Sequence, residues 1–176
     1  MNSRLLLVPL AAIAAVSPAY AVTYLSVEQA QALMFPNTLL TPVTFMLTAE
    51  QISAVEHASG VKVFAPQIQA WRSADGGWFL LDQVIGKHEL ISYALALDSS
   101  GTIKQVEILD YRESYGGEIR VPAWRKQFVG KRAGAPLVLD DDIKNISGAT
   151  LSCRHVTEGI RKMLTVYATA LAGQSH

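Results

Sequence analysis

The chain has a single cysteine, Cys153, among its 176 residues. A disulfide within the chain is therefore excluded, and so are the C-x-x-C spacings of haem attachment and of thioredoxin-type sites. Charge is scarce as well: 17% of the residues are charged, and fifteen basic side chains balance fifteen acidic ones. Such a chain has no net field to draw it to nucleic acid or to an anionic membrane surface. Its four histidines, His57, His88, His155 and His176, are scattered, with no H-E-x-x-H or similar metal spacing. G-x-S-x-G, G-x-G-x-x-G and the Walker pattern are missing, which removes the usual signatures of hydrolases and nucleotide-binding folds. There is no internal repeat, low-complexity tract or linker.

The N-terminus is what stands out first among the features present. Arg4 supplies a small positive region, residues 5–16 are an apolar run, and Pro18-Ala19-Tyr20-Ala21 is an A-x-A cleavage pattern. The run falls short of the roughly 20 residues that span a bilayer. An uncleaved anchor is the alternative, against which the small residues at the cleavage site argue. The expectation is a signal peptide over 1–21, removed so that Val22 becomes the first residue, and a single domain over 22–176. That domain is expected in the periplasm, with no transmembrane segment of its own. Half of the residues are hydrophobic, enough for a proper core.

Patterning then predicts an α+β domain with a mostly antiparallel, twisted sheet, helices near its N-terminus and a long C-terminal helix. Residues 26–35 read as a helix capped by Ser26. Thr48-x-x-Gln51 is a capping-box pattern that starts a second helix, ending at Gly60. Residues 61–71 are rich in β-formers but contain Pro66, which suggests an edge strand or a bulge. Ala74-Asp75-Gly76-Gly77 is a turn into a strand over 78–85. Ile91, Tyr93, Leu95 and Leu97 alternate with Ser92, Ala94 and Ala96, a strand with two unequal faces. Asp98-Ser99-Ser100-Gly101 closes a hairpin onto 103–111. A short helix is expected over 122–128. In the last helix Val156, Ile160, Met163, Leu164, Tyr167 and Leu171 form one apolar stripe.

The entry to that helix, Asp142-Ile143-Lys144-Asn145-Ile146-Ser147-Gly148-Ala149-Thr150-Leu151-Ser152, carries three hydroxyls around a Gly-Ala pair. Helix N-termini present unpaired N–H groups and a partial positive charge, which suits a phosphate. Gly148 and Ala149 leave the backbone open to close approach. An ordinary helix start, with Ser147 or Thr150 as N-cap, is the plainer reading of the same residues.

Ser-Gly-Ala-Thr-Leu-Ser, preceded by an aspartate, resembles the flavinylation motif of the FMN-binding domain family. That family includes periplasmic flavoprotein subunits of the Rnf complex and of the sodium-pumping NADH:quinone reductase. The resemblance implies that a flavin transferase takes FMN from FAD and joins its phosphate to the last hydroxyl of the motif, here Ser152. The family more often has threonine at that position. Glu113-Ser114-Tyr115-Gly116-Gly117 is similar to the family's Glu-Thr-Pro-Gly stretch, with Tyr115 in place of proline. Gln127-Phe128-Val129-Gly130-Lys131 resembles its Gln-Phe-x-Gly-Lys segment. The match is strongest over 78–164 and implies cofactor contacts from Ser147, Gly148, Ala149, Thr150, Leu151, Ser152, Glu113, Ser114, Tyr115, Gly116 and His155.

Several of these residues have a second reading. Glu113 either bonds the flavin or holds the Gly116-Gly117 loop. Tyr115 either lies against the isoalloxazine by offset stacking or is a surface tyrosine. His155 either approaches the phosphate or the reduced ring, or is a solvated helix residue. Cys153 reads as a small buried side chain, Trp71, Trp78 and Trp124 as core or pocket wall, and Lys131 with Arg132 as a solvated basic patch. Three functions fit: a covalent FMN carrier between periplasmic or membrane-bound redox proteins such as cytochromes, an FMN-dependent reductase of a small substrate, or a flavin-free exported binding module. A tethered cofactor cannot be lost outside the cell, which favours the carrier. No acid or base for a substrate reaction is identifiable in the sequence.

Overall fold

The computed structural model describes residues 22–113 and 116–174. The expected signal peptide, and Ser114 and Tyr115, lie outside the described residues. Six strands form one antiparallel sheet: β1 (Val22–Thr23), β2 (Leu40–Met46), β3 (Gln67–Ser73), β4 (Trp78–Ile85), β5 (Leu90–Leu97) and β6 (Ile103–Tyr111). Their order is β1-β6-β5-β4-β3-β2, so from β2 onward each strand lies beside the next in the chain. Helices α1 (Val27–Met34), α2 (Ala49–Ser59), α3 (Pro122–Arg125) and α4 (Thr150–Val166) complete the domain, which is the α+β class expected.

The unequal faces of β5 decide where the helices go. Ile91, Tyr93, Leu95 and Leu97 point into the large core, together with residues of α2 and α4. Ala94 and Ala96 face the other way, into a smaller cluster with Ala30, Met34 and Phe35 at α1. Large side chains on one face make room for two packed helices, and alanines on the other admit one short helix close to the sheet.

α4 is seated by two further devices. Gly159 lets the helix approach the sheet: a Cβ there would come within 2.6 Å of the Tyr93 hydroxyl and 2.7 Å of Val84 Cγ1. Beside it Lys162 pairs with Asp82 at 2.9 Å, and the Tyr93 hydroxyl donates to the same carboxylate. On the opposite flank Arg161 Nε donates to the Ser59 carbonyl at 2.8 Å, tying α4 to the end of α2.

Two expectations are corrected. Residues 61–66 are not strand: pairing begins at Gln67, after Pro66, which has no N–H to donate. The edge strand on this side of the sheet is β2, whose Pro42 stands opposite Trp71 and interrupts the free edge. The expected 122–128 helix is four residues of α-helix followed by a 3₁₀ turn, Lys126–Phe128. Trp78 and Trp124 are buried, and Trp71 packs edge-on against Phe79. Among the described residues no helix is long and apolar enough to cross a membrane.

Candidate functional site

The site is built around the start of α4. Ala149 N donates to Ile146 O at 3.0 Å, and Gly148 has φ +85°, so residues 146–149 form a turn that needs a left-handed third residue. The helix begins at once after it. Its N-cap is Ala149, with no side-chain cap bond. Neither Ser147 nor Thr150 caps the helix: Ser147 is exposed, and the Thr150 hydroxyl accepts from Asn145 Nδ2 at 3.1 Å. Among the described residues the first-turn amides thus have no side-chain partner at the cap. Gly148 is open, with no atom within 4 Å of where a Cβ would stand.

The hydroxyls of the motif differ in access. Thr150 is half-buried and Leu151 exposed, whereas Ser152 is only 4% exposed. Ser152 Oγ lies 3.1 Å from the hydroxyl of Tyr111, at the end of β6. Burial raises the Tyr111 phenol above its ordinary range; the bond to Ser152 opposes this, and Glu113 and Glu118 add to it. Gly116, at φ +87°, fits against this pair: a Cβ would come 2.6 Å from the Tyr111 hydroxyl and 3.0 Å from Ala149 Cβ. The fold therefore brings Tyr111, Gly116, Ala149 and Ser152 together from three parts of the chain.

Glu113 holds a turn, though not the expected one. Its carboxylate accepts from the amides of His88 and, at 3.0 Å, Glu89, which fastens the β4–β5 connection. Burial raises its pKa, but the amides of Glu89, His88 and Lys87 outweigh that and leave it below the ordinary carboxylate value. Gly86 packs so closely that a Cβ would meet Glu113 Oε1 at 2.6 Å. From the other side His155 Nδ1 lies 2.6 Å from the carbonyl of Ile85 and 3.1 Å from that of Gly86. The 86–89 turn is thus gripped by Glu113 on one side and by α4 on the other. His155 also stands in a groove of about 690 Å³ running along α4 beside Val84 and Leu90, with the exposed Phe64 on its rim.

The approach to the motif is propped from below. Gln127 Oε1 accepts from Lys144 N at 2.8 Å, and Trp124 Nε1 donates to Lys144 O at 2.8 Å. Lys131 pairs with Asp142 at 2.7 Å, so this lysine is engaged rather than solvated. Asp142 also accepts from Leu137 N and Val138 N. Burial raises this carboxyl, and Lys131 with the Val138 amide brings it below its ordinary value. The Gln127–Lys131 segment therefore acts as scaffold for residues 142–146. Cys153 is fully buried, and burial pushes its thiol up, away from a reactive thiolate. Among the described residues no group of three or more ligand side chains could hold a metal.

Sequence reasoning named Ser147, Gly148, Ala149, Thr150, Leu151, Ser152, Glu113, Gly116 and His155; the first six form the entry to α4 and Gly116 lies against Ala149, whereas Glu113 and His155 meet at the β4–β5 connection. It did not single out Tyr111 or the 86–89 turn. Tyr111 sits at the end of a predicted strand, and nothing local marks its partner 41 residues later.

These features suit a phosphate-bearing cofactor: an uncapped helix start, an open glycine and two hydroxyl side chains in the first turn. Residues 86–165 match the model of the FMN-binding domain family. Among solved structures, the chain is similar to one component of the Na(+)-translocating NADH-quinone reductase of Parabacteroides distasonis ATCC 8503, with a TM-score of 0.53 and 19% identity. The likeness covers 86% of this chain and 87% of that one, and at this identity it shows a shared fold. No curated protein matches the chain. With the motif at a helix start and the family model spanning β5, β6 and nearly all of α4, residues 86–165 of this chain are an FMN-binding domain of that family.

Proposed function

We propose that the protein carries FMN bonded covalently through its phosphate at the start of α4 and passes electrons between redox proteins in the periplasm. The carrying observation is the uncapped α4 start inside a domain of the FMN-binding family. A phosphodiester at the first turn would carry one negative charge shared by two oxygens, which suits the positive end of the helix. A flavin transferase supplies the group from FAD: the pyrophosphate bond breaks, a bond from a protein hydroxyl to phosphorus forms, and AMP leaves. When bound, the flavin supplies the redox chemistry, and the protein supplies binding and orientation.

The resemblance points to Ser152 as the acceptor. Its hydroxyl is buried against Tyr111, while Thr150, at the first helical position, accepts from Asn145. Protein made with a flavin transferase is expected to be yellow and to gain the mass of one FMN less water. Ser152→Ala is expected to abolish the gain and Thr150→Ala to keep it. The opposite pattern assigns the bond to Thr150, and no gain in the unaltered protein refutes covalent attachment.

A carrier, rather than a reductase, is favoured because a tethered cofactor cannot be lost outside the cell. Reduced protein is expected to be oxidised quickly by a protein acceptor such as a c-type cytochrome. Saturable turnover of one small substrate would instead put the reductase first. Export is tested by recovery in the osmotic-shock fraction with Val22 at the N-terminus; full-length protein in the membrane pellet would point to an anchored protein.

A further inference from the structure

We propose that the outer edge of β4 at Gln83–Ile85 is a docking site for an extended segment of a partner protein, taken up as an added strand in the groove along α4. The ladders on either side of β4 show which backbone groups face the groove. Gly86 N donates to Glu89 O at 2.7 Å, so Gly86, and by alternation Val84 and Asp82, turn their N–H and C=O toward β5. Ser73 N donates to Gly77 O at 2.9 Å, so Gly77, Phe79 and Leu81 turn theirs toward β3. Both counts leave Gln83 and Ile85 facing the β3 side. There the ladder stops. Its last pair is Gln69 with Leu81, and Gln67, which would stand opposite Gln83, is paired with Met46 of β2. Leu47 N donates to Pro66 O at 2.9 Å, which holds the start of β3 against β2. The sheet is therefore split, with β3 following β2 away from residues 82–85 of β4.

The groove of about 690 Å³ occupies this split. Its wall includes Asp82 and Val84, which share a sheet face with Tyr93 and Ile91, and also Gln83 and Ile85, which share the other face with Ser92 and Leu90. A groove that touches both faces of one strand runs past that strand's edge. Open N–H and C=O groups on such an edge pair with another backbone. A lipid chain would leave them unmet. The Ile85 carbonyl is taken by His155 Nδ1, so the N–H and C=O of Gln83 and the N–H of Ile85 are the groups that bond an added strand. Because α4 and residues 61–65 wall the groove, a single extended segment enters and the edge of a folded sheet does not. The lining also sets the segment's chemistry. Ile68, Met163, Val63 and Val84 belong to the core on the α4 side, so side chains pointing there are apolar. Gln69 and Gln83 line the other face, where polar side chains fit. Phe64 and Ile85, 94% and 60% exposed, are apolar surface that the segment would cover. Lys62 is paired with Glu56 and Lys162 with Asp82, so the segment needs no charge of its own. The occupant is thus an uncharged run of about four residues, alternately apolar and polar.

Hydrogen exchange of the purified protein, followed by NMR, tests the edge first. The amides of Asp82 and Val84 are expected to be protected, and those of Gln83 and Ile85 to exchange at least about tenfold faster. Octapeptides selected on the protein from a randomised displayed library are the probe. They are expected to alternate apolar and polar residues and to slow the exchange of both outward amides. A selected peptide N-methylated on one alternating set of nitrogens is expected to lose binding, and on the other set to keep it. Gln83→Pro removes an outward N–H and no bond to β5, so it is expected to fold and to weaken peptide binding at least about tenfold. Gln83→Thr, which keeps the backbone donor, is expected to bind as the unaltered protein does. If Gln83→Pro does not fold, the two methylated peptides decide. Protected Gln83 and Ile85 amides in the free protein, equal binding of both methylated forms, or no selected peptide overturns the proposal. So does a dimer that Gln83→Pro dissolves, which gives the edge to a second copy of the chain. Palmitate bound in preference to every selected peptide gives the groove to a lipid and overturns it as well. None of these outcomes depends on bound flavin, so they stand apart from the FMN reading.

Discussion

α2 and α4 begin in opposite ways. α2 starts at a complete capping box: the Thr48 hydroxyl accepts from Gln51 N at 3.2 Å, and Gln51 Oε1 accepts from Thr48 N at 2.9 Å. α1 does the same with Ser26 and Gln29. α4 is the longest helix and has three hydroxyl residues within reach of its first turn, yet its cap is Ala149 and no side chain closes it. A helix that forgoes its cap gives up about 1 kcal/mol. Here burial of a whole apolar face, from Val156 to Val166, holds the helix instead. Where packing secures a helix, its N-terminus is released from a structural duty and can take a ligand.

The largest expected effect breaks this comparison outright. Ser152→Ala is expected to remove all covalently attached flavin and, because its buried hydroxyl bonds that of Tyr111, to cost about 1 kcal/mol of unfolding free energy. A mass spectrum and a urea melt of the same sample check both halves. Next in size is Gly159→Ala, which attacks the packing that stands in for the cap. The added Cβ would press on Tyr93 and Val84 at 2.6 and 2.7 Å. Overpacking costs about 1–3 kcal/mol, against which alanine returns at most about 1 kcal/mol of helix propensity. A net loss of about 1–2 kcal/mol is expected, and a stabilised variant would show that α4 is not held at this point.

The same contrast explains what could be read from the sequence. Capping boxes and the α4 stripe are local patterns, so Thr48-x-x-Gln51, the end at Gly60 and the 156–171 stripe all stand as expected. β2 went unread because four of its seven residues are exposed and Pro42 interrupts it. What makes it a strand is its pairing with β3, some 30 residues away. Residues 61–66 read as strand on composition, yet they end in Pro66 and have no partner strand. At the site, the motif was legible as a helix entry. Tyr111, the 86–89 turn and the burial of Ser152 are products of topology, and no local spacing encodes them.

Glu113→Gln tests how firmly the site's far wall is held. The carboxylate accepts from backbone amides of the 86–89 turn, and bonds to a charged acceptor are worth roughly 1.5–3 kcal/mol each at most. Partial exposure reduces this, and a loss of about 1 kcal/mol is expected. Because the folded pKa lies below the unfolded one, this contribution is present above the ordinary carboxylate range and disappears as pH falls through the folded value. The difference between the unaltered protein and Glu113→Gln is therefore expected to be full at pH 7 and to shrink on acidification. A difference that grows with acid would mean that Glu113 does not hold the turn as a carboxylate.

The smallest effects sharpen the comparison most. Thr48→Ala removes a working cap, so a loss of about 1 kcal/mol is expected. Flavin content should be unchanged, because α2 lies away from the motif. Ser147→Ala, at the position where a cap of α4 was sought, is expected to change stability by no more than about 0.3 kcal/mol, since its exposed hydroxyl makes no cap bond. Both are read from urea midpoints at a constant slope, which separates a change in stability from a change in the unfolded state. If Ser147→Ala costs as much as Thr48→Ala, then Ser147 caps α4 in solution. The free amides to which the phosphate is assigned would then be occupied before any flavin arrives.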